Sequence, residues 1–279
     1  MFDDRTSALA STPPASGSGK RSRRMRAILE LLTEQGAITL QDLVATLGVS
    51  AATARRDLAD LEQQGLLART HGGARMAVPT SEIPVRLREG QSPGVKQRIG
   101  RAAAALLPDG PFAVAIGGGT TAASVARSLV FRNGLTIVTN SLTTASEIGA
   151  RPNLRVVMTG GTIRPHSFEL VGVLAENAFA AMNVGAAIVG MDGVSAVGGA
   201  TTHDETEART NAAMVRNAQR TIVVADSSKI GRTTLAPVVG MRGVHDLVTD
   251  DGADPAELQR ITDLGVRVHV VSTRAHETA

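Results

Sequence analysis

The chain of 279 residues has no cysteine, no tryptophan and no tyrosine, and only five phenylalanines. Without cysteine there are no disulfides and no thiolate metal sites, and a reducing cytoplasm is the compartment that such a composition suits. With so few aromatic rings, its cores are aliphatic and alanine-rich, drawn from the 43% of residues that are hydrophobic. No apolar run approaches the ~20 residues that span a bilayer. The opening MFDDRTSALASTPPASGSGK lacks a basic region followed by an apolar one, so it does not read as a secretory signal. Residues 1–19 are rich in Ser, Pro, Gly and Ala, and a disordered tail is expected there.

Catalytic patterns are lacking as well. His71, His166, His245, His269 and His276 are scattered and form no visible constellation with an acid or a nucleophile. His203-Asp204-Glu205-Thr206-Glu207 has no second histidine at helical spacing, so no metal is expected there. No catalytic residue and no cofactor is assigned.

What is present is a small positive charge in one place. The net charge is +3, and residues 20–75 hold nine Lys/Arg against six Asp/Glu, which equals the whole excess. A DNA-facing surface requires such a bias, and ordinary surface variation also produces it. Lys20, Arg21, Arg23, Arg24 and Arg26 form a basic run leading into a first helix. That run suits phosphate contacts that carry no sequence information, or a solvated helix start.

Three helices are predicted in this region. The first carries Ile28, Leu29, Leu31 and Leu32 and stops at Gly36; the second is capped near Thr39 and stops at Gly48. The third is capped by Ser50 and runs to about Gln64, where Gly65 ends it. At ~100° per residue, Ala51, Ala54, Leu58 and Leu61 share one face. Arg56 and Ala52 point the opposite way, flanked by Thr53 and Arg55. Small residues plus arginine near a helix start suit a major groove, with Arg56 reading a guanine edge and Thr53 and Arg55 nearer phosphates or adjacent bases. Residues 66–70 and 74–78 flank the turn His71-Gly72-Gly73 as a hairpin wing, from which Arg69, His71 and Arg75 reach backbone or minor groove. The candidate DNA-binding set is Arg24, Ser50, Ala52, Thr53, Arg55, Arg56, Arg69, His71 and Arg75.

Beyond the wing, residues 79–95 read as a proline-containing linker, and residues 96–279 as a second domain opening with the helix KQRIGRAAAALL. Strands and helices then alternate, the pattern of a mostly parallel α/β sheet. Apolar strands are expected in FAVAI, GLTIVT, LRVVM with TI, VGAAIVG, RTIVVA, VHDLVTD and VRVHVV, with helices over 172–183, 205–218 and 255–264. Polar and glycine-rich loops collect at strand C-terminal ends, where open α/β sheets bind ligands. Gly117-Gly118-Gly119-Thr120-Thr121 is neither a Walker loop nor GxGxxG. Its glycines and the following helix N-terminus suit a phosphate, and equally a tight strand-to-helix turn.

VSAATARRDLADLEQQGLLARTHGGA resembles the signature of the DeoR family of bacterial transcription regulators: VS, then T-x-RRDL, L-x-x-x-GLL and R-x-HGGA. Ala54 departs from it, relatives carrying a bulkier aliphatic residue, which implies a looser contact beneath the recognition helix. The family pairs this region with a sensor domain similar to the ribose-5-phosphate isomerase and CoA-transferase folds. The matching positions are Lys96, GGGTT, Thr139-Asn140-Ser141-Leu142, Gly160-Gly161, Gly190-Met191-Asp192-Gly193, Asp204-Glu205 and Asp226-Ser227-Ser228-Lys229.

The resemblance implies a cytoplasmic repressor of carbohydrate-metabolism genes, not an enzyme. It implies an effector that is a phosphorylated sugar or related metabolite. Phosphate would lie against Gly118, Gly119, Thr120, Thr121, Asn140 and Ser141, with Lys96 and Lys229 supplying charge. Asp192, Asp204, Glu205 and Asp226 would take hydroxyls, unless Asp226 and Lys229 simply pair within their loop. Relatives carry Asp just before the glycine-threonine run, where this chain has Ala115-Ile116-Gly117. The implied partners are double-stranded operator DNA and copies of the chain itself, as a dimer or tetramer placing two recognition helices on half-sites. Two other readings stand beside this one. A sugar-phosphate isomerase-like enzyme with an accessory DNA-binding domain would use Asp204, Glu205 and Lys229, although the isomerases' catalytic pattern is not matched. An architectural DNA binder would carry an inert second domain.

Overall fold

A computed structural model describes residues 18–76, 82–88 and 91–273. The expected tail lies outside them up to residue 17, as do the wing's residues 77 and 78, and His276. The chain divides into two compact units, Met1–Thr80 and Ser81–Ala279.

The first unit contains α1 (Ser18–Gln35), β1 (Ala37–Thr39), α2 (Leu40–Leu47), α3 (Ala51–Gln63), β2 (Leu67–Thr70) and β3 (Gly73–Met76). Local chemistry sets its boundaries. The Thr39 hydroxyl accepts from the Asp42 N–H at 3.1 Å to start α2, and Gly48, at φ 62°, ends it by donating to the Val44 carbonyl. Ser50 accepts from the Thr53 N–H at 3.2 Å to start α3. The core is Ile28, Leu29 and Leu32 from α1, Leu43 from α2, and Ala54, Leu58 and Leu61 from α3. Full burial of each large side chain contributes ~1.5–3 kcal/mol relative to exposure. Two expectations change here. Ser18 and Gly19 belong to α1 and not to the tail, and the basic run Lys20–Arg26 lies inside the helix instead of before it.

The wing is also larger than the sequence suggested. β1 pairs antiparallel with β3, giving a three-stranded sheet of order β1-β3-β2. Gly73 pairs with Thr39, and a Cβ on Gly73 would fall deep inside the van der Waals radius of the Ile38 carbonyl oxygen. Gly73→Ala is therefore expected to cost ~1–3 kcal/mol by overpacking, read as a lowered denaturation midpoint of the first unit. An unchanged midpoint would contradict this register.

The second unit contains α4 (Val85–Arg88), α5 (Pro93–Ala105), β4 (Phe112–Ile116), α6 (Thr120–Ser128), β5 (Leu135–Thr139), α7 (Leu142–Ile148), β6 (Leu154–Met158), β7 (Thr162–Arg164) and β8 (Glu169–Val171). It continues with α8 (Val173–Ala180), β9 (Ala186–Gly190), β10 (Gly193–Ser195), β11 (Gly199–Thr202), α9 (Glu205–Arg216), β12 (Thr221–Val224), β13 (Ala236–Val239), β14 (Asp246–Asp250), α10 (Pro255–Asp263) and β15 (Arg267–Val271).

Seven strands form one parallel sheet of order β15-β14-β12-β9-β4-β5-β6. Successive residues point to opposite faces, and each face has its own core. Val114, Ile116, Ile188, Ile222, Val224 and Val248 fill one. Ala115, Ala187, Val189, Val223 and Leu247 fill the other. A sheet covered on both faces explains why its strands read as unbroken apolar runs. Two smaller antiparallel sheets, β10-β11-β13 and the β7–β8 hairpin, sit with it.

The segment expected as a linker is partly structured. The Val85 N–H donates to the His166 carbonyl at 2.8 Å, and the Arg86 guanidinium lies 4.0 Å from the centre of the Phe168 ring. α5 starts at Pro93, one turn earlier than the expected start at Lys96.

Candidate functional site

In the first unit, α3 buries Ala54, Leu58 and Leu61 and leaves Ala52, Arg55 and Arg56 exposed, with Thr53 half-buried. Arg69, His71 and Arg75 are exposed on the wing, where Arg69 lies 3.9 Å from Glu62 of α3. Ser50 serves as the helix cap.

Arg24 makes a contact that the sequence did not show. It forms a paired bond through Nε and Nη2 to the Asp57 carboxylate, the Nη2 contact measuring 3.0 Å. Asp57 is buried on the inward side of α3. The hydrogen bond to Asp57 raises the Arg24 pKa further. Arg24 thus ties α1 to α3 through an acid within the unit. Asp57 escaped the sequence reading because an acid on the inner face of a helix looks like an interruption of the apolar stripe; it was the signal for this pair.

In the second unit, the C-terminal ends of β4, β9 and β12 surround a cleft. Lys96, Gly118, Gly119, Thr120, Thr121, Asp192, Asp226 and Lys229 all line it, so most of the expected effector residues are brought together. Gly119, at φ 91°, precedes the α6 start, whose first N–H groups have no carbonyl partner within the helix. The free space is about 40 Å³, room for a water or two. Ligand pockets run to ~300 Å³ or more. A wider hollow of about 750 Å³ borders the same helix start between α5, α6 and α7, and shares Lys96, Gly119 and Thr120 with the cleft.

Charge is concentrated in the cleft. Asp192 Oδ1 accepts from Arg88 at 2.8 Å and Lys229 at 3.4 Å, and its Oδ2 accepts from Thr202 at 3.1 Å. Burial alone would raise this carboxyl, but the charges of Arg88, Lys229 and His203 and the Thr202 hydroxyl outweigh it and hold the pKa at about 2. Burial pushes the His203 pKa down. The Lys96 ammonium donates to the Arg88 carbonyl at 3.3 Å. Lys229 bonds to Asp192 and not to its loop neighbour Asp226, which instead accepts from the Ser228 N–H at 3.1 Å.

The Asp192 pKa carries a pH prediction. With the folded value below the ordinary 3.8 of an aspartate, its contribution to stability is present above pH 3.8 and is lost as pH falls through about 2. The wild type should lose roughly 2 kcal/mol more than Asp192→Asn across that window. Denaturant titrations at stepped pH check this, and parallel profiles would contradict it.

Sequence reasoning missed a second cluster. Glu169 of β8 is 2% exposed, and its Oε1 accepts from the Gly118 N–H at 2.7 Å. A carboxylate therefore reaches the glycine loop, though not from the position where relatives carry Asp. Burial raises the Glu169 carboxyl against the Gly118 N–H. Burial raises Glu207 well above its ordinary range, and the Glu169 charge adds to it. Arg164 of β7 bridges outward from this pair: it bonds to Glu207 at 3.1 Å, Asp204 at 3.3 Å and, through both terminal nitrogens, Glu82. Burial would lower the Arg164 pKa, but Glu82, Glu207 and Asp204 together raise it. The one sequence signal was a lone acid, Glu169, set in the apolar run ahead of α8.

Four expected residues do not line the cleft. Asn140 is fully buried, its amide donating to the Leu170 carbonyl at 3.2 Å. Ser141 caps α7 by accepting from the Thr144 N–H at 3.2 Å. Asp204 caps α9, accepting from the N–H groups of Thr206 at 3.0 Å and Glu207 at 2.9 Å, and Glu205 is exposed in its first turn. Asn140, Ser141 and Asp204 hold turns and helix starts beside the cleft. Among the described residues, no group of three or more His, Cys, Asp or Glu is placed to hold a metal.

The arrangement matches known proteins. A model of the DeoR-like helix-turn-helix domain matches residues 24–80, and one of the DeoR C-terminal sensor domain matches residues 92–251. The chain is 34% identical over 251 residues to the transcriptional regulator GlpR of Haloferax volcanii, covering 88% of this chain and 96% of that protein. It is 30% identical over 251 residues to the glycerol-3-phosphate regulon repressor of Escherichia coli, covering 90% and 99%. Ribose 5-phosphate isomerase A of Methanocaldococcus jannaschii is similar at 18% identity and a TM-score of 0.36, over 50% of this chain and 55% of that one.

Proposed function

Because the chain belongs to the DeoR family of transcriptional repressors, we propose that it grips operator DNA through α3 and the wing and lets go when a phosphorylated sugar or related metabolite enters the strand-end cleft. It is a regulator and not an enzyme, since the relatives it matches are named as transcriptional regulators and repressors. The isomerase reading lacks a carboxylate base in the cleft from its own set: of its residues only Lys229 lines the cleft, while Asp204 is a helix cap and Glu205 is exposed.

One observation carries the effector class. The α6 N-terminus, the Gly118–Gly119 backbone, Lys96 and Lys229 converge on one cleft that also holds Asp192 and Asp226. Backbone N–H groups at a helix start, backed by ammonium groups, suit a phosphate, and carboxylates suit sugar hydroxyls. One relative is named for the glycerol-3-phosphate regulon, which supports a phosphorylated polyol class. Residues 20–78 are proposed as the DNA-binding part and 96–279 as the sensor, joined through 79–95, with two copies presenting two recognition helices. No helix among the described residues is long and apolar enough to cross a membrane.

The test is a thermal-shift and calorimetric comparison of sugar phosphates with their unphosphorylated parents. A ligand at 100 times its Kd stabilises by about 2.7 kcal/mol, and only phosphorylated members should do so. Equal effects of parent sugars and phosphates, or no effect of any phosphate, would overturn the reading.

A further inference from the structure

The strand-end cleft is narrow, and a carboxylate of the chain itself already sits on its glycine loop. Glu169 is almost fully buried, and its carboxylate accepts from the Gly118 N–H at 2.7 Å. A Cβ at Gly118 would collide with that carboxyl, so the loop's lack of a side chain is what admits Glu169. We propose, resting on the phosphate reading above, that Glu169 is a built-in anionic occupant of the phosphate cradle, and that the effector phosphate binds by expelling it and thereby loosens the anchorage of residues 82–88.

The route from cradle to anchor is short and continuous. Glu169 pairs directly across the β7–β8 hairpin with Arg164. Arg164 holds the buried Glu82 through both terminal nitrogens. The same hairpin accepts the Val85 N–H at the His166 carbonyl and seats Arg86 over Phe168. Glu82 and Val85 are thus held by β7 and the turn of the hairpin that carries Glu169, and they stand among the first described residues of the second unit. Release of the carboxylate from Gly118 acts on the hairpin through the cross-strand pairing of Glu169 with Arg164.

Two features make the occupant displaceable. Burial disfavours a charged carboxyl at Glu169, whereas an incoming phosphate dianion meets Lys96 and Lys229. Phe168, the residue before Glu169, sits at φ 57°, a left-handed conformation that costs a bulky residue energy. The turn that leads into Glu169 thus carries a backbone conformation of raised energy.

The experiment measures inorganic phosphate binding by calorimetry to the full-length wild type, Glu169→Ala and Glu169→Gln. An internal occupant reduces apparent affinity by the fraction of molecules in which the cradle is open, so Glu169→Ala should bind phosphate roughly tenfold or more tightly than wild type. Glu169→Gln keeps the shape without the charge and should fall between; it decides the matter if the alanine variant does not fold. In parallel, hydrogen exchange across residues 82–88 of the wild type should speed up at saturating phosphate. Variant affinity equal to or below wild type, or unchanged exchange at residues 82–88, would overturn the proposal and leave the phosphate reading intact. Absence of phosphate binding in all three proteins would overturn both.

Discussion

Arg164→Ala should lower the stability of the second unit by ~3–5 kcal/mol, the cost of leaving buried charges without their partner. The guanidinium is only 13% exposed and serves Glu82, Asp204 and Glu207 at once. For a unit of this size the loss corresponds to a melting point roughly 6–20 °C lower. The deficit has a pH signature. Glu169 and Glu207 already have raised folded pKa values, so their contribution is fully present below the ordinary carboxyl range and is lost as pH rises through the folded values. Without Arg164 those values rise further, and the deficit of the variant should grow as pH rises above the ordinary carboxyl range. Replacing Glu82 with alanine in the same protein should recover part of the loss, since one of the stranded acids is then gone. A deficit under 1 kcal/mol that is flat with pH would show that the cluster does not stabilise the hairpin.

Arg56→Ala is the second large effect, and it falls on DNA. Ala52 and Arg56 are exposed one turn apart on α3, opposite its buried side. Loss of a bidentate guanine contact costs ~1–3 kcal/mol of specific affinity, with little change for random DNA. Arg55→Ala should weaken both alike and reduce the salt slope by about one. Arg24→Ala should behave differently from either: its bond to Asp57 places its effect in the melting of the first unit. Equal losses on operator and random DNA for Arg56→Ala would mean that another face of α3 reads the bases.

These outcomes also mark how far the sequence could be read. Thr39, Gly48, Ser50 and Gly65 are local signals, and each stands at the helix boundary it implied. The parallel strands were legible because burial on both faces leaves an apolar run with no polar alternation. β7, β8, β10, β11 and β13 have three or four residues each, too few to show a period. β1 is as short, and only Gly73 hinted at its close approach.

The cleft was legible where its residues fall in a contiguous loop, as at Gly118–Thr121. It was not legible where the geometry depends on residues distant in the chain. Arg88 meets Asp192 across 104 positions, Arg164 meets Glu82 across 82, and Glu169 meets Gly118 across 51. Asn140 and Ser141 lie outside the cleft lining, where they bond to the Leu170 carbonyl and cap α7. No local rule separates holding a turn from holding a ligand, since both favour small hydrogen-bonding side chains.

The most direct test of the whole account is the affinity of the full chain for DNA from upstream of its own gene, measured by fluorescence anisotropy with and without sugar phosphates. The account predicts preference for that DNA over a random duplex of equal length, and a 5–150-fold loss of affinity with one phosphorylated sugar that its unphosphorylated parent does not cause. Binding no tighter than to random DNA, or an affinity that no sugar phosphate alters, would contradict it.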